Sequence, residues 1–450
     1  MDPRPETLDP RPQSRLQAPK GTRDFYPADM AWHHHLLDAW RRVSVRHGFE
    51  QVDGPIFETL DLYKVKSGEG IVSELMHFED RGGRELAIRP EFTPTLARMV
   101  AAQAHSLPKP VKWFCTPNLC RAERPQRGRL REFWQWNIDM LGSDAPTADA
   151  ECIGVAVDLL RELGLSPEQV RVKISHRETV RHILQKMGVT DEKMEDAFEL
   201  LDRRDKLDSE EFQKQAANLG LDEHTVQRFD QTCRLKYRCG DLGQMREHLG
   251  AEANTNLADL EALDEQLRAF QLDAWCEYDL GIVRGLAYYT GTVFEIHEAT
   301  GVERAMAGGG RYDKLIELFG GPPTPAVGFG MGDVVLTHVL ADKGLIPEDV
   351  RPQPDVFAVA LTDTGAAHLP GQIAALRRAG LHARFSYKTT RNLGKLLKEA
   401  GNARARHALI LDDDAAAGNA QLKNLATGEQ TTVPLDRLID HLRPAQAPPL

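Results

Sequence analysis

Cysteine is scarce in this sequence: six residues in 450, at positions 115, 120, 152, 233, 239 and 276, with no C-x-x-C pair among them. The 115/120 and 233/239 spacings fit no common zinc pattern. This argues against a zinc ribbon or a disulfide-stapled scaffold, and free, mostly buried thiols in a reducing compartment are expected. Long apolar runs are also missing. None approaches the roughly 18 residues a membrane span needs. The opening segment, MDPRPETLDPRPQSRLQAPK, has prolines at 3, 5, 10, 12 and 19 and no apolar core. It reads as neither a signal nor a transit peptide, so residues 1–17 are expected to be a disordered tail and the location cytoplasmic, with no membrane attachment. Positive charge is in deficit, at a net −11. That balance argues against indiscriminate coating of nucleic acid but not against a nucleic-acid substrate held by local basic patches. The run His33-His34-His35 falls inside an amphipathic helical pattern, where a structural or solvated role outweighs metal binding.

What is present is globular: 41% hydrophobic and 27% charged residues in a chain long enough for two or three domains. The spacing predicts a helix with apolar residues at 32, 36, 37, 40 and 43, ended by Gly48, then an extended segment up to Pro55. RELAIRPEFTPTLARMVAAQA reads as a short strand, then a helix with Thr93 as N-cap and Pro94 in its first turn. From about 177 to 262 the composition becomes helical and highly charged, which marks an insertion. RAMAGGGRYDKLIELFGG reads as a glycine turn opening a helix, and GGPPTPAVGFGMGDVVLTHVLADKGL as strand, glycine turn and closing helix. A linker covers 346–353. From 354 to about 445 strands alternate with helices, the pattern of a small α/β domain with a partly parallel sheet. The fold class is thus α/β and multidomain.

One stretch concentrates what the rest lacks. RAERPQRGRLREFWQWNIDMLG, at 121–142, holds Arg121, Arg124, Arg127, Arg129 and Arg131. The apolar VKWFCTPNLCR precedes it and a period-two run follows, so the two runs are expected to form an antiparallel hairpin with a charged tip. On the second run Trp134, Trp136, Ile138 and Met140 share one face, and Gln135, Asn137 and Asp139 share the other. Burying that polar row costs a few kcal/mol per group unless it is paired. Two readings stay open here: an internal hydrogen-bond network, or a ligand pocket. The arginines favour an anionic ligand, because guanidinium forks bind phosphate bidentately and only two glutamates lie nearby in sequence. GIVRGLAYYTGTVFEIH repeats the logic. Arg284 sits between glycines with no adjacent acid, and Tyr288 and Tyr289 would point to opposite faces of a regular strand, so that one could line a pocket. AGGGRYD, at 307–313, resembles a phosphate-cradling loop, with close backbone packing an equal alternative.

Together these segments resemble the histidyl-tRNA synthetases, a class II aminoacyl-tRNA synthetase family, over roughly residues 18–442. APKGTRDFYP is similar to the family's N-terminal signature, and the segment ending at Pro55 to class II motif 1, which builds a dimer interface. RPEFTPT resembles the R-P-E-x-T segment and the arginine-rich stretch motif 2. VRGLAYYTGTVFE and AGGGRYD resemble the two histidine-specific signatures, and AVGFGMG the start of motif 3. The resemblance implies a class II catalytic domain over 18–345, an antiparallel sheet flanked by helices, followed by an anticodon-binding-like domain over 354–445. It implies histidine–tRNA ligase activity, with L-histidine, ATP, Mg²⁺ and tRNA(His) as partners, in a homodimer. Arg121 and Arg284 would be catalytic, on the ATP α-phosphate. Histidine would meet Glu91, Phe92, Thr93, Arg121, Gln135, Asp139, Arg284, Tyr288 and Tyr289, with Glu91 and Thr93 on its α-amino group. Asp139, where the family usually has Glu, would accept from the imidazole. ATP would meet Arg121, Glu123, Arg129, Arg131 and Arg284. No protein-held metal is implied.

The chain departs from the family pattern twice. Ala287 replaces a common Asp. Motif 3 ordinarily continues into Glu-Arg, whose arginine meets the ATP γ-phosphate, and here the residues are Asp333, Val334 and Val335. The motif 2 loop, Arg129 above all, is expected to take over that contact. The alternative is the non-catalytic, synthetase-like regulatory subunit of ATP phosphoribosyltransferase, which is expected to lack both the C-terminal domain and catalytic arginines.

Overall fold

A computed structural model describes residues 17–67, 69–204, 207–220, 222–249, 257–283 and 288–442. The chain divides into two compact units, residues 1–348 and 349–450.

The first unit is organised by the long strand Glu132–Leu141. Its alternation sorts as the sequence suggests: Trp136, Ile138 and Met140 are buried in the main core, and the polar row takes the opposite face. Antiparallel partners flank it. Val111–Cys115 and Asn118–Cys120 complete the expected hairpin on one side, and Ala326–Gly332 pairs on the other. The sheet continues through Ala307–Arg311, Thr292–Glu298, Val170–His176, Cys276–Asp279 and Lys236–Arg238, with Glu50–Gln51 at the far edge. Its pairings are antiparallel except at Glu50–Gln51 with Val111–Cys115 and at Cys276–Asp279 with Val170–His176.

Helices Pro27–Arg46, Pro146–Glu162 and Ala258–Ala269 cover the apolar face. Leu36, Ala39, Trp40 and Val43 of the first are buried one or two turns apart, a helix face turned to the core. Gly48 follows with φ of 76°, a left-handed conformation that ends a helix at little cost in glycine. The Trp136 indole donates to Ser44 Oγ at 2.9 Å, and Ser44 Oγ donates to the Trp40 carbonyl at 2.7 Å. Ser44 thus joins helix to strand, while the Trp40 ring stacks on Trp136 and its buried indole N–H has no hydrogen-bond partner among the described residues. Helix Thr93–Gln103 starts one residue earlier than a Thr93 N-cap would place it, with Phe92 at the cap position.

The two glycine-rich segments differ from expectation. Ala307–Arg311 is a strand, not a turn, and the glycines of AVGFGMG also lie within a strand, which runs directly into helix Asp333–Asp342. The reason is close packing: a methyl group at Gly309 would meet Phe329 Cβ at 2.5 Å on the neighbouring strand. The segment at 177–262 is mainly helical but contributes the strand Lys236–Arg238 to the sheet, and its Phe198, Leu201 and Phe212 extend the main core. Asp208 and Asp222 cap two of its helices by accepting from the Glu211 and Thr225 backbone N–H groups. The five cysteines with described side chains are free thiols, and Cys115, Cys152 and Cys276 are buried.

The second unit has a five-stranded sheet. Ala383–Phe385, Val356–Ala360 and His407–Leu411 run parallel, and Asn419–Asn424 and Gln430–Pro434 continue antiparallel. Helices Asp363–Arg378 and Leu393–Asn402 pack their Ile373, Leu376, Leu396 and Ala400 into its two cores. Exposed on this unit are Arg377, Arg378, Lys388, Arg391, Lys395 and Lys398.

Candidate active site

The polar row of the long strand is the floor of a cavity of ≈ 90 Å³, lined also by Glu91, Thr93, Arg121, Tyr288, Tyr289 and Tyr312. Room exists because the facing strand carries glycine there. Gly328 pairs with Asp139 and Gly330 with Asn137 in the ladder. A methyl group at Gly330 would lie 2.7 Å from the Gln135 amide, and one at Gly328 would collide with Asp139 Oδ1.

Asp139 is buried at 6% exposure and accepts a hydrogen bond from the Tyr312 hydroxyl. Burial pushes its carboxyl up to about 7, against the opposing pull of that hydrogen bond. Tyr312, wholly enclosed beside it, is driven well above the usual phenol range, chiefly by burial. The pair offers one hydroxyl donor and a carboxyl whose charge changes near neutrality. Glu91 and Thr93 reach the cavity because helix Thr93–Gln103 begins at its edge. Phe92, between them, turns the other way and packs in the core beneath. Tyr288 and Tyr289 do not take opposite faces. Strand Thr292–Glu298 starts only after them, their rings lie 4.7 Å apart, and both line the cavity. Arg284 and Ala287 lie outside the described residues.

A second, larger cavity of ≈ 300 Å³ adjoins the first and shares Arg121, Gln135, Gly308 and Gly330 with it. Arg121 is fixed at the boundary by donating Nε–H to the Pro90 carbonyl at 3.1 Å, with its guanidinium 5.1 Å from the centre of the Phe133 ring. Arg129, Arg304, Val334 and Val335 line the larger space.

The arginine-rich loop is less free than its sequence suggests. Arg129 is held bidentately by Glu123. Arg127 turns outward to Glu303, at 2.6 Å, and to Asp342. Arg131 donates to the Glu123 carbonyl at 3.2 Å and the Lys20 carbonyl at 3.5 Å. Part of the cluster is therefore structural. The acids that neutralise Arg127 lie 176 and 215 residues away, beyond any local count of glutamates. Arg311 of AGGGRYD is structural too. It pairs with the buried Asp149 and donates to the Ser143 carbonyl at 3.0 Å, tying its strand to the start of helix Pro146–Glu162. Asp333, at the motif 3 departure, is buried, accepts from the Trp134 N–H at 3.0 Å and pairs with Arg23 at 2.7 Å.

Two site residues escape a reading of sequence alone, Tyr312 and Arg304. The signal for Tyr312 is the strand period within AGGGRYD: Gly308, Gly310 and Tyr312 share a face, and Gly308 and Tyr312 line the small cavity. No local pattern marks Arg304. Among the described residues no group of three or more His, Cys, Asp or Glu side chains is gathered to hold a metal ion, and no described helix is long and apolar enough to cross a membrane.

The family model for histidyl-tRNA synthetase matches residues 21–333, and that for an anticodon binding domain matches residues 372–444. A histidine–tRNA ligase of Opitutus terrae is 38% identical over 94% of this chain and 97% of its own length. One of Natronomonas pharaonis is 39% identical over 92% of this chain and 95% of its own. The crystal structure of histidyl-tRNA synthetase from Nostoc sp. PCC 7120 superposes with a TM-score of 0.79 at 24% identity, covering 95% of this chain and 98% of that one.

Proposed function

We infer that this chain, which belongs to the histidyl-tRNA synthetase family, is a histidine–tRNA ligase whose small cavity takes L-histidine and whose larger cavity takes ATP. The observation that carries the assignment is the Asp139–Tyr312 pair on the floor of a cavity joined to an arginine-lined one through Arg121. An imidazole presents one N–H donor and one nitrogen acceptor. Asp139 as carboxylate accepts from the first, and a tyrosine hydroxyl or the Gln135 amide serves the second. Glu91 and Thr93 lie at the edge where the α-amino group would sit, which directs the histidine carboxylate toward Arg121.

In the first step a carboxylate oxygen attacks the α-phosphorus of ATP. The bond to the bridging oxygen breaks, and pyrophosphate leaves with its electron pair. In the second, the terminal ribose hydroxyl of tRNA attacks the acyl carbon, loses its proton, and AMP departs. The protein forms no covalent bond. It supplies orientation and positive charge at the phosphoryl oxygens. Arg121 does so from within the described site, and Arg284 is assigned the opposite side of the same phosphate. Arg129 and Arg131 are assigned to the nucleotide, and Glu123 to the same side as the acid that holds Arg129. Magnesium is assigned to this site as part of the substrate, on the phosphate oxygens of MgATP.

The second unit, with the exposed bases named above, is assigned to tRNA(His), where Lys and Arg would meet backbone phosphates. Ile56, Phe57 and Phe78 are exposed apolar residues on and beside the small sheet of Phe57–Thr59, Glu85–Ile88 and His77–Glu79. We assign them to contact with a second copy of the chain, in a cytoplasmic homodimer. A regulatory-subunit role is the weaker reading, because the anticodon-binding match covers most of the second unit. The test is histidine-dependent ATP–pyrophosphate exchange together with histidylation of tRNA(His). Folded protein that binds histidine yet does neither would overturn the ligase assignment.

A further inference from the structure

With the α-phosphate at Arg121, on the boundary between the two cavities, the rest of the triphosphate extends into the larger one. Its terminal phosphate needs a cation there, because a polyanion in a partly dry space is costly to leave unpaired. The cations lining that space, among the described residues, are Arg121, Arg129 and Arg304. Arg129 is already bidentate on Glu123, and Arg127 of the same loop is turned outward to Glu303 and Asp342. Arg304 forms no hydrogen bond or ion pair among the described residues.

Its position is also informative. A methyl group built on Gly128 would lie 3.2 Å from Val335 Cγ2 and 3.7 Å from Arg304 Cδ. The stem of Arg304 therefore fills the same corner as Val335, the position where the family pattern has its motif 3 arginine. Its neighbour Glu303 is buried and anchored on Arg127, and Met306 hydrogen-bonds through its backbone to Ile296 at 2.8 Å, so the backbone on both sides of Arg304 is held. Burial first, and the charge of Arg129 second, disfavour the Arg304 cation. Arginine stays charged in proteins, so an arriving anion relieves that repulsion.

We propose that Arg304 binds the terminal phosphate of ATP, and the pyrophosphate formed from it, replacing from a neighbouring strand connection the charge that Val335 lacks. The proposal rests on the ligase assignment above, and the test separates the two. Wild-type protein without histidine-dependent exchange would sink the ligase assignment, while equilibrium binding of ATP against AMP would still test Arg304. In R304A the KM for ATP and for pyrophosphate should rise roughly ten- to hundredfold. Affinity for AMP and for a histidyl-sulfamoyl adenosine, which has no β- or γ-phosphate, should stay within about twofold. R304Q keeps the stem that packs at Gly128 and serves the same test if R304A folds poorly. The double variant R304A/V335R should recover most of the ATP affinity. Unchanged KM values for ATP and pyrophosphate in R304A would overturn the proposal. So would an equal loss of adenylate-analogue binding, which would show a collapsed site, not a missing phosphate contact.

Discussion

The two cavities that meet at Arg121 are built on opposite principles. In the small one, polar groups are short, buried and already bonded to each other, as Tyr312 is to Asp139, and glycines on the facing strand set its dimensions. In the large one, long arginines line the wall, and one of them, Arg129, is held by an acid, Glu123. The first arrangement costs stability through burial and gains selectivity, because a ligand without matching donors leaves buried groups unpaired. The second costs less, because a partly exposed ion pair such as Arg129–Glu123 is weak. Histidine is selected among many amino acids, whereas ATP needs mainly to be gripped and its charge neutralised. The contrast suits the two substrates.

The largest expected effect comes from Arg121, the one charged residue among those that line both cavities. Arg121→Ala should lower kcat for exchange by about a thousandfold, the loss of a charge contact made in the transition state, while raising KM for histidine and ATP together. A change in one KM alone would place Arg121 wholly in one cavity and break the two-compartment picture. Next in size is Gly330→Ala. Its methyl group would press on the Gln135 amide, 2.7 Å away, and displace it from the floor. Histidine KM should rise about thirtyfold, in line with a lost buried hydrogen bond, with a smaller rise in ATP KM because Gln135 also borders the larger cavity. Equal loss for both substrates would mean that the glycine serves the sheet and not the pocket.

How much of this contrast the sequence discloses follows from distance along the chain. The period-two run at 133–141 is local, so the core and pocket faces of Glu132–Leu141 are legible without a structure, as is the hairpin that carries the arginines. The helix ended by Gly48 and the mixed sheet of the second unit are legible for the same reason. Tyr312 as the partner of Asp139 is not, since 173 residues separate them. Nor is the outward turn of Arg127, set by Glu303 and Asp342. The glycines of 308–310 and 328–332 mislead, because in isolation they read as turns. Only the neighbouring strands, too close for a side chain, make them strand residues. Tyr288 and Tyr289 are misplaced by assuming a strand that begins only at Thr292.

A smaller effect tests whether the large cavity's cations are lent to acids or bound by them. Glu123→Gln weakens the hold on Arg129 and leaves the fold's buried groups untouched. ATP KM should fall about threefold, the size of a partly exposed ion pair. A rise would instead put Glu123 on the nucleotide itself and make its pairing with Arg129 part of the bound state.

The last effect concerns stability and the sign of one titration, and is read as a shift of a few degrees in melting temperature. The Asp139 carboxyl is raised from 3.8 to about 7, first by burial. Between those values the folded protein holds a proton that the unfolded chain has released, so this group's contribution to stability declines as pH rises from about 4 to 7 and is constant above. At about 1.4 kcal/mol per unit the total is at most about 4 kcal/mol, and water entering the cavity reduces it. Asp139→Asn cannot ionise and keeps an oxygen for the Tyr312 hydroxyl. Its melting temperature without ligands should exceed that of wild type by a few degrees at pH 8, with the difference vanishing toward pH 4. Histidine activation should fall in the same variant, because an amide can turn a donor toward the imidazole N–H. Thermal melts across that pH range read the first effect and exchange kinetics the second. If Asp139→Asn were the less stable protein at pH 8, the carboxylate would be ionised and stabilising in the empty cavity. The small compartment would then be held by charge, like the large one, and the difference between them would be one of size alone.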